Sequence, residues 1–323
     1  MSVQQYREQE QLILDFFVEA DTENRKYSQS IELYDAIPKY HWGKVQRDSA
    51  GRLPIMMRTF KHKGFEYEVE VTPARLRNNG VEMDCYPGVR EELVEDALRK
   101  IATDGRIRKG QSRYGIEFSI NELQKELKTN RHSYSKTQIK DALEICNKTH
   151  IKLICKSNDD TIEMNQQLFP LLVLANRKQW ETGKTRAIVE FNDLVTRSIE
   201  QRTFRHINYE RSMRLSLSLA RWLHKRMSHN YKQAASFKNT YSITLKTIIR
   251  DSGIGPYKRF RNSRTSVLNA IQELIQSDVI YKCDEETVRE GRKLIDIKFT
   301  FTPSMKFSSE MRRANAKTNT IVR

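Results

Sequence analysis

An α+β fold is predicted for this chain of 323 residues, because one order of secondary-structure elements occurs twice along it. The order is helix, strand, helix, helix, strand, turn, strand, with apolar residues three to four positions apart in helices and two apart in strands. A helix-turn-helix followed by a β-hairpin is the arrangement of a winged helix. The sequence therefore predicts two tandem winged-helix domains with an N-terminal elaboration, although the two copies share little residue identity.

Turn signals and shifts in composition predict the domain boundaries. Pro87-Gly88 interrupts the chain before the first copy, and Phe65–Thr72 ahead of it alternates like a strand. The C-terminal residues are polar and basic without an apolar period, which is typical of a disordered segment. The predicted division is 1–88 as an N-terminal extension packed on the first domain, 89–208 as the first winged-helix domain, 209–303 as the second, and 304–323 as a basic flexible tail.

The first copy begins with a helix predicted over residues 89–102. After a short strand, Ser119 and Glu122 have the spacing of a capping box at the start of the next helix. A second helix is predicted over residues 134–147, and a hairpin with its turn at 157–160 follows.

The second copy begins with a helix near Ser212. A short strand and a short helix follow, and Gly253 closes that helix. The remaining predicted elements are a long helix over 257–277, a strand over 279–283, a charged turn over 284–293, and a strand over 294–301 with alternating apolar residues.

The helix predicted over residues 257–277 has two different faces. Val267, Ile271 and Leu274 form an apolar stripe. Arg261 and Asn269 fall on another face, which no acidic residue interrupts. An α-helix fits the major groove of DNA, where arginine pairs with guanine and asparagine with adenine. This stretch alone leaves two interpretations open: a base-reading helix, or a surface helix with a solvated basic end.

Candidate DNA contacts lie on this helix, on the wing and on the second helix of the first copy. The wing carries acidic residues beside its cations, which weakens the case for phosphate contact there. In the first copy, Asp141 and Glu144 share the exposed face with lysines, so packing or a dimer contact is an alternative role for that helix. The candidates are Lys258, Arg259, Arg261, Asn262, Arg264, Thr265 and Asn269 on the long helix, Arg292 and Lys293 on the wing, and Ser135, Lys136, Gln138 and Lys140 in the first copy.

A formal net charge of +16 predicts a polyanionic partner, nucleic acid before a membrane surface. No apolar run approaches the roughly 20 residues of a membrane span. The N-terminus lacks the basic start and apolar run of a secretory signal. The cysteines form no CxxC pair and are expected to be reduced. Together these features predict a cytoplasmic bacterial protein with no membrane partner.

Motifs for catalysis, metal binding and nucleotide binding are not found in the sequence. Gly183-Lys184-Thr185 resembles the end of a P-loop, but Lys178 occupies the position of the required first glycine. The histidines have no ligand spacing, and Asp159-Asp160 fits a hairpin turn. We therefore expect no enzymatic activity and no bound metal or cofactor.

Two segments of the second copy resemble a known family. Residues 216–227, SLSLARWLHKRM, are similar to the helix that opens the second winged helix of the plasmid-encoded replication initiators of bacteria, the RepA/TrfA-like proteins. YSITLKTIIRDSGI, followed by YKRFRNSRTSVLNAIQELI, is similar to the helix-turn-helix that comes next in that family. The resemblance covers about residues 89–301 and is mostly architectural in the first copy.

The resemblance implies binding to repeated duplex sites, called iterons, at a plasmid origin. It also implies recruitment of the host replicative helicase and host initiator protein, and repression of the protein's own gene as a homodimer. Within the family pattern, the helix from Arg261 is the principal base reader. The first unit then lies on a neighbouring groove or forms the dimer contact.

Two alternatives remain at this point. A winged-helix transcriptional repressor would use the same two modules without a replication role. A nucleic-acid enzyme, such as a nickase or primase, could carry winged helices as an accessory, but no clustered metal site is evident in the sequence.

Overall fold

The computed structural model describes residues 27–78, 80–110, 112–156, 161–174, 186–200, 204–231, 239–255 and 259–321. Helices and strands alternate in an α+β arrangement, and both halves contain the order helix, strand, helix, helix, strand, strand. The predicted fold class, two tandem winged helices with an N-terminal elaboration, is confirmed. In these ranges no helix combines the length and the apolar character needed to cross a bilayer.

The elements fall into an N-terminal half, which includes the first winged helix, and a C-terminal half. In the N-terminal half they are β1 (Tyr27–Ile31), α1 (Glu32–Ala36), β2 (Met56–His62), β3 (Phe65–Thr72), β4 (Ala74–Asn78), β5 (Val81–Cys85), α2 (Val89–Ile101), β6 (Ile107–Lys109), β7 (Tyr114–Ser119), α3 (Ile120–Thr129), α4 (Lys136–Lys148), β8 (His150–Lys156), β9 (Thr161–Gln167), β10 (Leu171–Val173), β11 (Arg186–Glu190), α5 (Asp193–Glu200) and β12 (Phe204–Asn208). In the C-terminal half they are α6 (Tyr209–Arg214), α7 (Ser218–Asn230), β13 (Tyr241–Thr244), α8 (Leu245–Ser252), α9 (Phe260–Gln276), β14 (Ile280–Glu290), β15 (Lys293–Pro303) and α10 (Met305–Ile321).

The N-terminal region supplies half of the wing sheet of the first domain. The β8–β9 hairpin is the expected wing, but β8 also pairs antiparallel with β3, giving the order β2-β3-β8-β9. Val69 and Val71 of β3 are fully buried opposite Leu153 and Ile151. The alternation in β3 therefore reflects a central strand that buries Val69 and Val71 on one face, and the strand it pairs with lies far along the chain.

The strand between the helices of the first domain pairs differently from its counterpart in the second. β7 lies in a separate sheet with the order β10-β11-β7-β6 and does not join the wing. The turn into α3 follows the predicted capping box, because Ser119 Oγ accepts a hydrogen bond from the Glu122 backbone N–H at 3.1 Å. The two copies thus share an element order and a paired wing hairpin, but the strand between the helices joins the wing only in the second copy.

The second domain has the simpler winged-helix sheet, with the order β13-β15-β14. Ile297, Phe299 and Phe301 of β15 are buried, as their alternation predicts. Gly253 ends α8 in the left-handed conformation, with φ of +68°. A Cβ atom on Gly253 would lie 2.6 Å from a guanidinium nitrogen of Arg58, so this turn also provides space for the N-terminal half to dock.

The wing of the second domain is longer than predicted. The expected turn over residues 284–293 is wrong, because β14 continues to Glu290 and β15 starts at Lys293. Only Gly291 and Arg292 connect the strands, and Gly291 has a φ of +58°. The charged residues belong to a paired ribbon, in which Glu286 lies opposite Lys298 with 3.6 Å between their charged atoms.

The C-terminal residues form a helix, so the predicted flexible tail over 304–323 is wrong. Phe307, Met311 and Ala314 are buried in α10 at helical spacing, and Phe307 and Met311 belong to the core of the second domain. Arg211 of α6 donates to both carboxylate oxygens of Glu310, at 2.7 and 2.9 Å. The apolar residues of this helix are few and lie among many polar ones, so their helical spacing was not evident in the sequence.

Buried charges join the two domains. Arg221 of α7 donates to Glu92 of α2 at 2.9 Å. Lys225 Nζ lies 2.9 and 2.7 Å from the two carboxylate oxygens of Asp96, which also accepts from Arg99 at 2.7 Å. All five side chains are at most 10% exposed. These largely buried charged contacts between α2 and α7 therefore favour one relative orientation of the two winged helices.

His224 of α7 is a buried imidazole, and its environment is expected to make the protein sensitive to mild acid. Its ring lies 6.1 Å from that of Phe307, and neither ring nitrogen has a hydrogen-bond partner among the described residues. Burial, together with the charges of Arg211 and Lys225, lowers the pKa of His224 to about 3. The unfolded chain protonates this histidine near pH 6.5, whereas the folded protein does not.

The free energy of unfolding is expected to decrease as the pH drops below about 6.5. The decrease is about 1.4 kcal/mol per pH unit for as long as the pH stays above the pKa of His224 in the folded protein. The free energy of unfolding, measured in urea at pH 7.5 and pH 5.5, should decrease by about that amount. In His224→Leu most of this decrease should disappear. An equal decrease in the wild type and the variant would assign the acid sensitivity to other groups.

Candidate nucleic-acid interface

The surface of α9 divides into a buried and an exposed face, as its sequence predicts. Ser263, Val267, Ala270, Ile271 and Leu274 are buried against the second-domain core. The exposed side chains are Phe260, Arg261, Asn262, Arg264, Thr265, Asn269, Gln272 and Gln276. Six of the predicted DNA contacts of this helix lie in the described residues. Five of them are in this exposed set, and the sixth, Arg259, directly precedes the helix.

The first turn of α9 presents a guanidinium and an amide to solvent. Arg261 forms no ion pair with any residue in the described ranges. Thr265 Oγ1 donates back to the Arg261 carbonyl at 3.0 Å, so its hydroxyl retains only acceptor capacity. Arg259 is the exposed residue before the helix, and its side chain does not cap the helix. Lys258 lies outside the described residues.

The acidic residue of α9 is turned away from this exposed face. Glu273 accepts from the Ser216 hydroxyl at 2.7 Å and from the Leu217 backbone N–H at 3.0 Å. These bonds engage a hydroxyl and a backbone N–H in the two residues that precede α7. The exposed face of α9 is left with cationic and amide side chains, which are the chemical groups that bind base edges and phosphates.

Arg264 connects α9 to the wing. Its Nε donates to Glu285 Oε1 at 2.9 Å, and its Nη2 donates to Oε2 at 3.1 Å. A two-point contact of this kind fixes orientation as well as distance. Arg264 is therefore partly neutralised by Glu285, and only its remaining guanidinium N–H groups are available to another acceptor.

The predicted wing contacts lie at the far end of the ribbon. Arg292 and Lys293 are exposed at the tip. Glu290, the last residue of β14, lies five residues beyond Glu285 along the strand. This spacing corresponds to about 17 Å at about 3.3 Å per residue. The wing tip and the first turn of α9 would therefore meet different parts of a bound duplex.

In the first domain, the predicted contacts at the start of α4 have structural roles. Ser135 Oγ accepts from the Gln138 N–H at 3.2 Å, and Gln138 Oε1 accepts from the Ser135 N–H at 2.8 Å, which forms a capping box. Lys140 Nζ lies 3.5 Å from Glu144. Lys136 begins the helix. These four residues are close together, but two of them are occupied in capping and one is partly neutralised.

The described residues contain no group of three or more histidine, cysteine or acidic side chains placed to hold a metal ion. The P-loop-like segment at 183–185 and the turn at Asp159-Asp160 lie outside the described residues. The described cysteines are free thiols, and burial raises the pKa of Cys146 well above its usual value, which disfavours the reactive thiolate.

One exposed residue of α9 was missed in the sequence. Phe260 is 39% exposed at the first helical position, although it is large and apolar. A phenyl ring on the exposed turn of a major-groove helix can pack against the methyl group of thymine. The apolar stripe predicted for this helix does not include Phe260, and a large apolar residue just before that stripe is the signal that could have identified it.

Comparison with known proteins supports the fold alone. No protein-family model matches the chain, and no curated protein sequence matches it. A crystal structure of domains 2 and 3 of RctB, as a selenomethionine derivative, aligns with a TM-score of 0.50 at 10% identity over 80% of this chain and 94% of that chain.

Two further crystal structures align less closely. One, of the same two RctB domains, has a TM-score of 0.48 at 11% identity over 84% of this chain and 97% of that chain. The other is the Pi initiator protein in complex with iteron DNA, with a TM-score of 0.45 at 14% identity over 72% of this chain and 98% of that chain. The likeness to the first RctB structure places this chain in the same two-domain architecture.

Proposed function

We propose that the protein is a sequence-specific, double-stranded DNA-binding protein that initiates plasmid replication by binding repeated origin sites. The observation that carries DNA binding is the exposed face of α9. It presents Arg261, Asn262 and Asn269 without a carboxylate, and the acidic residue of the helix, Glu273, is engaged with α7. Such a face matches the donor and acceptor pattern of the major groove.

Two winged helices held in one orientation favour an extended binding site over a single short one. The buried ion pairs between α2 and α7 restrict rotation of one module against the other. A rigid pair of this kind reads a duplex site whose two contacts are a fixed distance apart. This geometry supports the proposed recognition of long, repeated origin sequences.

The replication role is supported by the resemblance of residues 216–227 and of the following helix-turn-helix to the plasmid initiators. On this proposal the protein recruits the host replicative helicase and host initiator protein, represses its own gene as a homodimer, and acts in the bacterial cytoplasm. It has no catalytic activity of its own and needs no cofactor. A transcriptional repressor without a replication role is the second candidate function, since the same α9 face serves both.

Binding to duplex DNA is expected to weaken steeply with salt. If about 6–10 phosphates are neutralised, the slope of log K against log salt lies near −5 to −9. Fluorescence anisotropy of a labelled duplex over a salt series measures this slope. A slope shallower than about −2 would contradict an interface dominated by the basic surface.

A plasmid maintenance assay tests the replication role. A replicon carrying the gene and its flanking direct repeats should be lost when the gene is deleted, and should recover when the protein is supplied from a second plasmid. Arg261→Ala supplied in the same way should fail to restore maintenance. If the replicon persists without the gene while transcription from its promoter rises, the repressor is the correct assignment.

A further inference from the structure

The two winged helices are joined by a turn of three residues, 215–217, which lies between the end of α6 at Arg214 and the start of α7 at Ser218. Tyr209 and Met213 of α6 pack in the core of the first domain, whereas the apolar residues of α7 pack in the core of the second. A change in the backbone angles of this interdomain turn therefore changes the direction of α7 relative to α6.

Glu273 of α9 accepts three hydrogen bonds from the interdomain turn. Ser216 donates through its backbone N–H at 2.5 Å and through its hydroxyl at 2.7 Å, and the Leu217 backbone N–H donates at 3.0 Å. Hydrogen bonds to an ionised acceptor are shorter than neutral ones and about twice as strong. The carboxylate therefore fastens the C-terminal half of the base-reading helix to the connection between the domains.

Arg221 of α7 holds the same turn and links it to the first domain. Its Nη1 donates to the Leu215 carbonyl at 2.9 Å. Its Nη2 donates to Ser218 Oγ at 2.8 Å and to Glu92 of α2 at 2.9 Å. The side chains of Arg221 and Glu92 are 1% and 3% exposed. A continuous series of hydrogen bonds therefore runs from α2 of the first domain, through Arg221 and the interdomain turn, to α9.

We infer that Glu273 is a positioning residue for base reading, which fastens α9 to the interdomain turn so that sequence discrimination depends on that turn. The inference rests on the proposed DNA-binding function and adds to it a residue that acts without contacting DNA. Through Arg221 and Glu92, the placement of the first winged helix influences the alignment of α9 with the bases.

The carboxylate of Glu273 has two separable effects on DNA binding. As a negative charge on a DNA-binding helix it repels phosphates, and this effect is the same on every duplex. As a fastening it keeps the side chains of α9 aligned with base edges, and this effect exists only on the cognate duplex. Loss of the charge raises affinity on all sequences, whereas loss of the fastening lowers the ratio of cognate to unrelated affinity.

Glu273→Ala measures this ratio, with dissociation constants for the cognate and an unrelated duplex determined by fluorescence anisotropy at one salt concentration. The ratio should fall about threefold to tenfold, while the affinity for the unrelated duplex stays the same or rises. Glu273→Gln should retain most of the wild-type ratio, because its amide oxygen can still accept from Ser216. Glu286→Gln, which neutralises a 72% exposed carboxylate of the wing, should leave the ratio unchanged.

Ser216→Ala tests the fastening without changing any charge. Ser216 is exposed, and the substitution removes one of the three donors to Glu273, so the ratio should fall by about twofold. In Ser216→Ala/Glu273→Ala the ratio should equal that of Glu273→Ala alone, because the hydroxyl no longer has its acceptor. A cooperative thermal transition in each variant shows that the protein remains folded.

Arg221→Lys tests the link to the first domain. A lysine keeps the positive charge beside Glu92, but it lacks the planar guanidinium that also donates to the Leu215 carbonyl. The ratio should fall, and the losses in Arg221→Lys and Glu273→Ala should not multiply in the double variant, because both act through the same turn. If Arg221→Lys does not fold, Ser216→Ala and the Glu273 variants still decide the role of Glu273.

The outcomes separate this inference from the proposed function. If Glu273→Ala raises the affinity by the same factor on both duplexes, Glu273 acts only as a charge and the inference is overturned. If the losses in the Ser216 and Glu273 variants multiply, the two residues act independently and the fastening is wrong. In both cases a wild type that discriminates through Arg261 keeps the proposed function. If the wild type shows no preference for any duplex, the function fails and the inference fails with it.

Discussion

Replacing Arg261 with alanine is expected to weaken binding to the cognate duplex by about 1–3 kcal/mol and to relax the preference at one base position. Arg261 lies in the first exposed turn of α9, the part of a recognition helix that meets base edges. A guanidinium there can donate two hydrogen bonds to a guanine. Affinities on the cognate site and on all single-base variants, measured at one salt concentration, show whether the preference at one position is lost.

Arg259→Ala is the control for a contact that does not read sequence. Arg259 precedes the helix, where phosphates run, so its replacement should lower the affinity by a similar factor on every sequence and make the salt slope shallower by about one unit. If Arg261→Ala behaves in the same way, with equal losses on all base variants, Arg261 contacts phosphate and the base-reading assignment is wrong.

The parts of the fold that could be predicted are those specified by short-range patterns. The two faces of α9, the capping box at Ser119 and the alternation in β15 all follow from residues within a few positions of each other. The pairing of β3 with β8 could not be predicted in this way, because about 80 residues separate partners such as Val69 and Leu153. Helix α10 was missed because its stability comes from packing and not from local propensity.

The candidate site shows the same division. Residue types and spacing were enough to place Arg261 and Asn269 on an exposed face, and the structure agrees. The engagement of Arg264 depends on Glu285, which lies in a segment expected to be a turn. Similarly, Ser135 and Gln138 have residue types that suit both DNA contact and helix capping, and in the structure they hydrogen-bond to each other.

Asp96→Ala is expected to destabilise the protein by about 3–5 kcal/mol, because it leaves the buried ammonium of Lys225 without its nearest counter-charge. Burial alone would raise the pKa of Asp96, but the charges of Lys225 and Arg99 hold it below its usual value. The ionised carboxylate of Asp96 therefore stabilises the fold at neutral pH. This stabilisation is complete above the ordinary pKa near 3.8, and it is lost as the pH falls through the lower pKa of Asp96 in the folded protein. Urea unfolding at pH 7 measures the loss.

Two further variants distinguish an unpaired charge from general disruption of the domain contact. Glu144→Ala removes a partly exposed partner, 3.5 Å from Lys140, and should cost less than about 1 kcal/mol. Asp96→Leu combined with Lys225→Met replaces the buried pair with apolar side chains, so it should recover most of the stability lost in Asp96→Ala. If Asp96→Ala costs no more than Glu144→Ala, water reaches the charges between α2 and α7, and they do not fix the orientation of the two winged helices. If the double variant is as unstable as Asp96→Ala, the interface between α2 and α7 depends on the shapes of these two side chains and not on the neutralisation of a buried charge.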